Sequence, residues 1–256
     1  MTPPVSVVEE RDGAWIRVIL DRPPGNLLSL EMVRAVSATL SEIESTWRKW
    51  VTFEGAGRHF SYGAKIEEHA PGRMEQVLPE THALLRQILE LPASTAALVS
   101  GRCLGGGFEL ALACDTIIAD EEASLGLPEI QLGVFPPAAC ALLPLRIGAS
   151  RAANAILTGA PRSAVGWRDD GLVAVLAEAG SLHASAARWF DTHLAPRSTV
   201  GIVAAARASR LTLRQVADPA LVAAERMYLD EVLLTQDAAE GVRAFMEKRP
   251  PQWKDR

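Results

Sequence analysis

The sequence predicts an α/β fold whose final third is helical. Segments of strand-like composition alternate with segments in which apolar residues recur every three or four positions, which is typical of α/β proteins. From about residue 181 to residue 248 nearly all of the chain has helical patterning. The chain has 256 residues, of which 48% are hydrophobic and 22% charged, so it can bury a sizeable core as a single domain.

The first elements in chain order are a hairpin and a helix. The segments VSVVEE and AWIRVIL flank an Asp-Gly pair that favours a tight turn, so residues 5–20 are predicted to form a β-hairpin. Apolar spacings of three and four then predict an amphipathic helix over about 30–46. The next patterns predict a strand at 50–55, a helix at 82–91, a strand at 95–100, a helix at 104–114 and short strands at TIIAD and ASLGL.

The rest of the chain is expected to be mainly helical. Ser150 as a cap and Gly159 as a stop predict a helix between them. The longest helix is expected over DPALVAAERMYLDEVLLTQD, residues 218–237. Because no internal repeat or linker marks a second independent domain, the helical final third is expected to pack as a subdomain.

Charge and composition argue against several classes of protein. The net charge is −5 and the basic residues form no run, so we expect no nucleic-acid partner. No apolar stretch reaches the roughly 18–20 residues that span a bilayer, and the first residues lack a signal-peptide pattern, so we expect no membrane association and a cytoplasmic location. Three cysteines without a CxxC pair fit a reducing compartment and predict no structural metal site.

The stretch LGGGFELALACD, residues 104–115, places Glu109 in a helix that is otherwise apolar. A charge in such surroundings is costly unless it is paired, neutralised or used. The glycines leave the first amides of this helix unshielded, so a ligand oxygen can approach them as in one half of an oxyanion hole. Equally, the glycines can serve only a tight turn and close packing. The stretch matches neither a glycine-rich nucleotide-binding motif nor a hydrolase nucleophile motif.

A second carboxylate, Glu129, lies among apolar residues just after Pro128, which restrains the turn. A short predicted strand separates it from Glu109, so the two side chains can converge on one pocket. Two partly buried carboxylates that share a site have pKa values pushed apart, which lets one act as an acid and the other as a base. Each carboxylate alone is also explained as a structural hydrogen-bond acceptor.

Four segments are similar to segments of a known family: GAGRHFSYGAKIEE, GRCLGGGFELALACDTIIADEEASLGLPEIQLGVFP, LTGAP followed by GLV, and DAAEGVRAFMEKRPPQW. On these motifs the chain resembles the crotonase, or enoyl-CoA hydratase/isomerase, superfamily. The resemblance implies a crotonase-type ββα spiral core with the thioester site over 1–180 and a helical C-terminal oligomerisation region over 181–256. It also implies acyl-CoA thioester substrates, no cofactor besides the CoA of the substrate, and a homotrimer or a dimer of trimers.

The resemblance also assigns roles to individual residues. It implies that the backbone N–H groups of Ala64 and Gly106 form an oxyanion hole, in which one donor is commonly worth about 3–4 kcal/mol. It makes Glu109 and Glu129 the catalytic pair, with Glu109 in the position that activates water in hydratases and Glu129 in the position that delivers the proton.

The chain departs from the common family pattern at several positions. Lys65 follows the alanine of the oxyanion hole where many members have Asp, and Pro24 replaces a frequent lysine, so the CoA phosphates need other cations. Lys248 and Arg249 match a family contact made from a neighbouring subunit; a solvated surface pair is the alternative.

The segments HFSYGAKIEEHAP, GVFPPAACALLPLRIG and AFMEKRPPQW are most similar to one subgroup, the cyclohexa-1,5-diene-1-carbonyl-CoA hydratases. This implies 1,4-addition of water to a cyclic dienoyl thioester, with Ala138 in an apolar wall against the ring. Tyr62 and Phe135 are candidates for lining the acyl pocket, although core packing explains both. A general enoyl-CoA hydratase, an isomerase and a non-catalytic acyl-CoA-binding protein are the alternative functions.

Overall fold

The computed structural model describes residues 3–44, 46–69 and 72–255, which form nine strands and nine α-helices. The strands are β1 (Val5–Glu10), β2 (Trp15–Leu20), β3 (Trp50–Gly55), β4 (Ser94–Val99), β5 (Arg102–Leu104), β6 (Thr116–Asp120), β7 (Ser124–Gly126), β8 (Arg162–Ser163) and β9 (Val173–Ala177). The helices are α1 (Leu30–Glu44), α2 (Met74–Glu90), α3 (Gly106–Ala113), α4 (Pro137–Ile147), α5 (Ala149–Thr158), α6 (Ala164–Asp169), α7 (Leu182–His193), α8 (Thr199–Arg226) and α9 (Gln236–Met246). The irregular turns are two 3₁₀ turns, Ile66–His69 and Pro128–Leu132, and a π-helical turn, Met227–Val232.

The strands form two sheets. The larger sheet has the order β1-β2-β3-β4-β6-β9, with β1 and β2 antiparallel, as the predicted hairpin requires, and the other pairs parallel. β3 and β4 are buried along most of their length, which is typical of inner parallel strands. The smaller sheet has the order β5-β7-β8, with β5 and β7 parallel.

The smaller sheet brings the two singled-out glutamates together. β5 leads into α3, which carries Glu109, and β7 leads into the 3₁₀ turn that carries Glu129. Because β5 and β7 are parallel neighbours, these two segments begin at the same edge of the sheet. The N–H of Gly105 donates to the carbonyl of Gly126 at 2.9 Å and joins the two strand ends.

The helices after β9 share the core with the sheets. α8 packs against α4 and α2, and its Ala217 and Leu221 belong to the main hydrophobic core. The buried guanidinium of Arg210 in α8 pairs with both carboxylate oxygens of Asp115 at 2.6 and 2.5 Å and donates to backbone carbonyls between α2 and β4. The final third is therefore anchored to the rest of the chain, while the role of 181–256 in oligomerisation stays a prediction.

Several boundaries differ from the sequence predictions. α2 begins at Met74, well before the predicted 82–91. Pro79 lies inside this helix and removes one backbone donor without ending it. Ser150 lies within α5 instead of capping it. The helix expected over 218–237 is divided between the end of α8, the π-helical turn and the start of α9. The elements β5, β8, α4, α6 and β9 were not predicted, because very short segments and segments that are apolar on all sides carry no clear period.

The cysteines are free thiols, with Cys103 and Cys114 buried and Cys140 half-buried. Across the described ranges, no group of three or more His, Cys, Asp or Glu side chains is arranged to hold a metal ion. In the same part of the chain, no helix has both the length and the apolar character needed to cross a membrane.

Candidate active site

Two backbone amides lie next to each other at an inner cavity. Gly106 is the first residue of α3, so its N–H has no acceptor within the helix. A Cβ atom built on Gly106 would lie 3.6 Å from the amide nitrogen of Ala64 and 3.9 Å from Oε2 of Glu109. Ala64 and Gly106 both line the cavity. This arrangement can hold an oxygen atom that carries developing negative charge beside a carboxylate.

Ser61 connects the two segments that carry these amides. Its Oγ accepts from the N–H of Gly63 at 3.0 Å and donates to the carbonyl of Asn26 at 2.8 Å. Its own carbonyl accepts from the N–H of Leu104, just before the glycine turn, at 2.9 Å. Ser61 and Asn26 are fully buried. Sequence reasoning missed both residues, because no motif or spacing marks a side chain whose partners are distant backbone groups.

Glu109 is the carboxylate that the sequence places in an otherwise apolar helix, and a backbone amide of another helix binds it. Its side chain is buried, and Oε1 accepts the N–H of Ala139 at 2.9 Å, in the first turn of α4. Burial raises the pKa of Glu109 to about 7, while the amides of Ala139 and Ala138 act in the opposite direction. The N-terminus of α4 thus favours the ionised form of a carboxylate in an apolar wall.

Glu129 is buried beside the glycine turn. A Cβ atom at Gly105, whose φ is +51°, would lie 2.6 Å from Oε1 of Glu129, so only glycine leaves room for this carboxyl group. Oε2 is buried and has no hydrogen-bond partner among the described residues. Burial, and then the charge of Glu109, raise the pKa of Glu129 well above its usual range. Both carboxyl groups therefore hold a proton at a higher pH than exposed glutamates do.

The inner cavity has a volume of about 40 Å³ and is mostly apolar. Its lining residues are Leu28, Ala64, Met74, Val77, Leu78, Thr81, Gly106, Glu109, Glu129, Phe135, Pro137 and Tyr228. Phe135 is one of these residues, and its contact with an acyl group stays a prediction. Ala138 does not line the cavity: it is fully buried, and Pro137 occupies the wall instead. The correction follows from helix geometry, because successive residues of α4 face different directions.

A larger groove of about 720 Å³ lies next to the inner cavity, and Ala64 lines both spaces. Tyr62, a candidate from the sequence for lining an acyl pocket, lines this outer groove and does not line the inner cavity. In the extended segment before Ala64, successive side chains point to opposite sides, so Ser61 is buried while Tyr62 is 37% exposed. The guanidinium of Arg102 lies 6.0 Å from the centre of the Tyr62 ring and adds positive charge to the groove.

Arg249 also lines the outer groove of its own chain. Its guanidinium pairs with the buried carboxylate of Glu240 at 2.5 and 3.0 Å and with Glu247 at 2.5 Å. Lys248 is exposed and lines neither the groove nor the inner cavity. The structure thus separates the two cations, and their contact with CoA bound to a neighbouring subunit stays a prediction.

Known proteins resemble this chain over nearly its whole length. The family model described as enoyl-CoA hydratase/isomerase matches residues 10–256. The cyclohexa-1,5-dienecarbonyl-CoA hydratase of Thauera aromatica is 38% identical, over 99% of this chain and 98% of that protein. The 2,3-dehydroadipyl-CoA hydratase of Escherichia coli (strain K12) is 31% identical, over 98% of this chain and 99% of that protein. The crystal structure of an enoyl-CoA hydratase from Mycobacterium avium subsp. paratuberculosis K-10 superposes on this chain with a TM-score of 0.88. The two are 27% identical, and the match covers 98% of this chain and 99% of that one.

Proposed function

This chain belongs to the enoyl-CoA hydratase/isomerase family and is a hydro-lyase, and on that premise we propose that it hydrates cyclohexa-1,5-diene-1-carbonyl-CoA. The product is 6-hydroxycyclohex-1-ene-1-carbonyl-CoA. The observation that carries the proposal is the pair Glu109 and Glu129, buried in one apolar cavity beside the amides of Ala64 and Gly106. The 38% identity with a hydratase of this name supports the choice of substrate.

The substrate binds with its thioester in the inner cavity and its CoA in the outer groove. The thioester oxygen accepts hydrogen bonds from the N–H groups of Ala64 and Gly106, which stabilise it most strongly when it becomes an enolate. Arg102 supplies a cation along the groove for the CoA phosphates, and Arg249 lines the same groove while paired with Glu240 and Glu247. The apolar wall that includes Phe135 and Pro137 packs against the ring.

Glu109 acts as the base and Glu129 as the acid, in accordance with the environments of their carboxyl groups. Glu109 accepts a proton from water while the water oxygen bonds to ring carbon 2, which is β to the thioester. The electrons of the former double bond then spread over the carbonyl group and the second double bond. Glu129 donates its proton to ring carbon 5, and the remaining double bond lies between carbons 1 and 6 of the diene. In the numbering of the product these are carbons 1 and 2, and the hydroxyl-bearing carbon is carbon 6. Proton transfer from Glu109 to Glu129 resets the pair, so the net change is the addition of one water molecule.

The test is hydration in deuterated water, with mass spectrometry to detect the added water and NMR to locate the label. We expect deuterium at the carbon that was ring carbon 5 of the diene, which is carbon 3 of the product, and slow turnover of crotonyl-CoA as a linear comparison. Deuterium on the carbon α to the thioester, or rapid hydration of crotonyl-CoA alone, would assign the chain to the general enoyl-CoA hydratases. Incorporation of deuterium without addition of water would indicate an isomerase, and binding without turnover a non-catalytic protein.

A further inference from the structure

A buried serine lies between the two backbone segments that carry the amides of Ala64 and Gly106, and the mechanism above does not use it. Ser61 is fully buried and lines neither the inner cavity nor the outer groove. Its side chain therefore makes no contact with a substrate bound in these two spaces. Any effect of the side chain on the reaction passes through the backbone groups that it binds.

The first of these groups lie just before the amide of Ala64. The Ser61 hydroxyl accepts the N–H of Gly63 at 3.0 Å and donates to the carbonyl of Asn26 at 2.8 Å. The carbonyl of Gly63 accepts the N–H of Leu28, from the same segment as Asn26, at 2.9 Å. Because the peptide bond between Gly63 and Ala64 is planar and trans, its N–H points away from that carbonyl. The contacts of Gly63 thus fix the direction of the Ala64 N–H.

The second group is the start of α3. A Cβ atom on Gly107 would lie 2.6 Å from the Cβ of Ser61 and 2.8 Å from its Oγ, so this side chain lies directly against the helix backbone beside Gly106. The carbonyl of Ser61 accepts the N–H of Leu104 at 2.9 Å, and its N–H donates to the carbonyl of Arg102 at 3.2 Å. Ser61 is thus fixed to β5 and α3 through its backbone and Cβ, while its hydroxyl binds the other segment.

We propose that Ser61 is a positioning residue for the oxyanion hole, whose hydroxyl sets the distance and angle between the N–H groups of Ala64 and Gly106. This inference rests on the proposed function, in which both N–H groups bind the thioester oxygen. Without the hydroxyl, the N–H of Gly63 and the carbonyl of Asn26 lose a buried partner, and the backbone moves to recover one. Two donors stabilise an enolate fully only when both point at its oxygen, so a small rotation at Ala64 weakens that stabilisation.

The Ser61→Ala variant tests this role, and Ser185→Ala is its matched control. Ser185 is a buried serine of α7 whose hydroxyl binds the side chains of Ser181 and Arg188, and it lines neither the cavity nor the groove. On the thioester that the wild-type protein hydrates fastest, Ser61→Ala is expected to lower kcat by about 10-fold, less than the loss of a whole donor. Its KM should change much less than its kcat, because the CoA contacts remain. Ser185→Ala should keep the wild-type kcat.

A spectroscopic measurement follows the oxyanion hole without turnover. Cyclohexanecarbonyl-CoA and butyryl-CoA have saturated acyl groups, so neither can be hydrated, and each can be labelled with ¹³C at the thioester carbonyl. Binding to the wild-type protein should lower the infrared stretching frequency of this carbonyl, because two N–H donors polarise it. In Ser61→Ala the frequency should lie closer to that of the unbound thioester, whereas Ser185→Ala should match the wild type. A loss of stability changes the fraction of folded protein and does not change the carbonyl frequency of the bound thioester.

Ser61→Cys is the second variant and keeps the test decisive if Ser61→Ala does not fold. A thiol is a weak donor and a weak acceptor, so both contacts of the side chain are weakened without being removed. The carbonyl frequency in Ser61→Cys is therefore expected to lie between the wild-type value and that of the unbound thioester.

The outcomes separate the two proposals. If the wild-type protein lowers the carbonyl frequency but hydrates none of the thioesters, the proposed function is wrong, and the Ser61 variants still decide the inference. A wild-type carbonyl frequency in folded Ser61→Ala or in Ser61→Cys overturns the inference alone, and so does a wild-type kcat in Ser61→Ala. Absence of binding to the wild-type protein, or binding that leaves the carbonyl frequency unchanged, overturns both, since no oxyanion hole then acts on the thioester.

Discussion

Among single residues, Gly105 has the most direct influence on the acid of the proposed reaction. Its missing side chain leaves the space that Oε1 of Glu129 occupies, and its φ is +51°. We predict that Gly105→Ala displaces Glu129 and lowers kcat by about 100-fold, a typical contribution of one acid or base. Initial rates on the preferred thioester measure this effect.

Gly180→Ala is the control for the backbone strain in that substitution. Gly180 also has a positive φ, +74°, but a Cβ atom there would meet no atom within 4 Å. The Gly180→Ala variant therefore has the backbone strain of a non-glycine residue in a left-handed conformation, and it does not disturb Glu129. Equal activities of the two variants would contradict the steric role of Gly105.

The environment of Glu109 predicts how activity depends on pH. Its pKa is raised to about 7, and the base must be ionised to accept a proton from water. We therefore expect kcat/KM to fall as the pH drops below about 7, with the slope of a single proton. Glu109→Gln should remove turnover while leaving binding of a saturated acyl-CoA nearly unchanged. A profile that is flat between pH 5.5 and 8 would exclude Glu109 as the base.

At the scale of elements, α9 holds the 3₁₀ turn that carries Glu129. A Cβ atom on Gly241 of α9 would lie 2.0 Å from the carbonyl oxygen of Leu132, so the helix and the turn touch through their backbones. We predict that Gly241→Ala moves α9 away from the turn and lowers both kcat and Tm, as steady-state kinetics and thermal unfolding would show.

Gly201→Ala is the matched control in another helix. A Cβ atom at Gly201 in α8 would have 3.8 Å to its nearest neighbour, the Cβ of Ser198. Replacement of a helical glycine by alanine stabilises a helix by roughly 0.5–1 kcal/mol when nothing obstructs the new atom. The Tm of Gly201→Ala should thus stay equal or rise. A similar rise in Gly241→Ala would mean that α9 does not position the turn.

For the whole molecule, the exposed apolar side chains of the final third bear on the predicted assembly. Side chains that are more than half exposed there include Val200, Leu211, Leu234, Phe245 and Met246. Apolar surface of this kind commonly marks a protein interface. We therefore propose that the chain forms a trimer or a dimer of trimers through these helices.

A chain that ends at residue 239 tests the assembly together with the outer groove. It lacks Arg249 and most of α9, so we predict a smaller particle in sedimentation and weaker binding of acyl-CoA. Arg249→Ala in the full chain is the control, since it removes the groove cation and keeps the apolar residues of α9. A fully active monomer from the shortened chain would refute both the assembly and the role of the C-terminal segment.

Short-range patterns in the sequence determined much of this protein. The hairpin, α1, β3, β4 and the α3 segment were predictable because alternation and helical spacing are local. The crotonase-type fold that the resemblance implied is confirmed by the family match and the structural likeness. Glu109 and Glu129 were also found from the sequence, because a carboxylate within an apolar run is costly and stands out without knowledge of its neighbours.

Only the tertiary structure decided which distant groups surround these carboxylates. The amide of Ala139 that binds Glu109 and the phenol of Tyr228 belong to later segments, and no local pattern connects them to α3. The direction of Tyr62 into the outer groove also depends on the packing around Ser61. The physical reason is the same in each case: a sequence pattern reports whether a residue prefers to be buried, whereas packing between distant segments determines what it meets there.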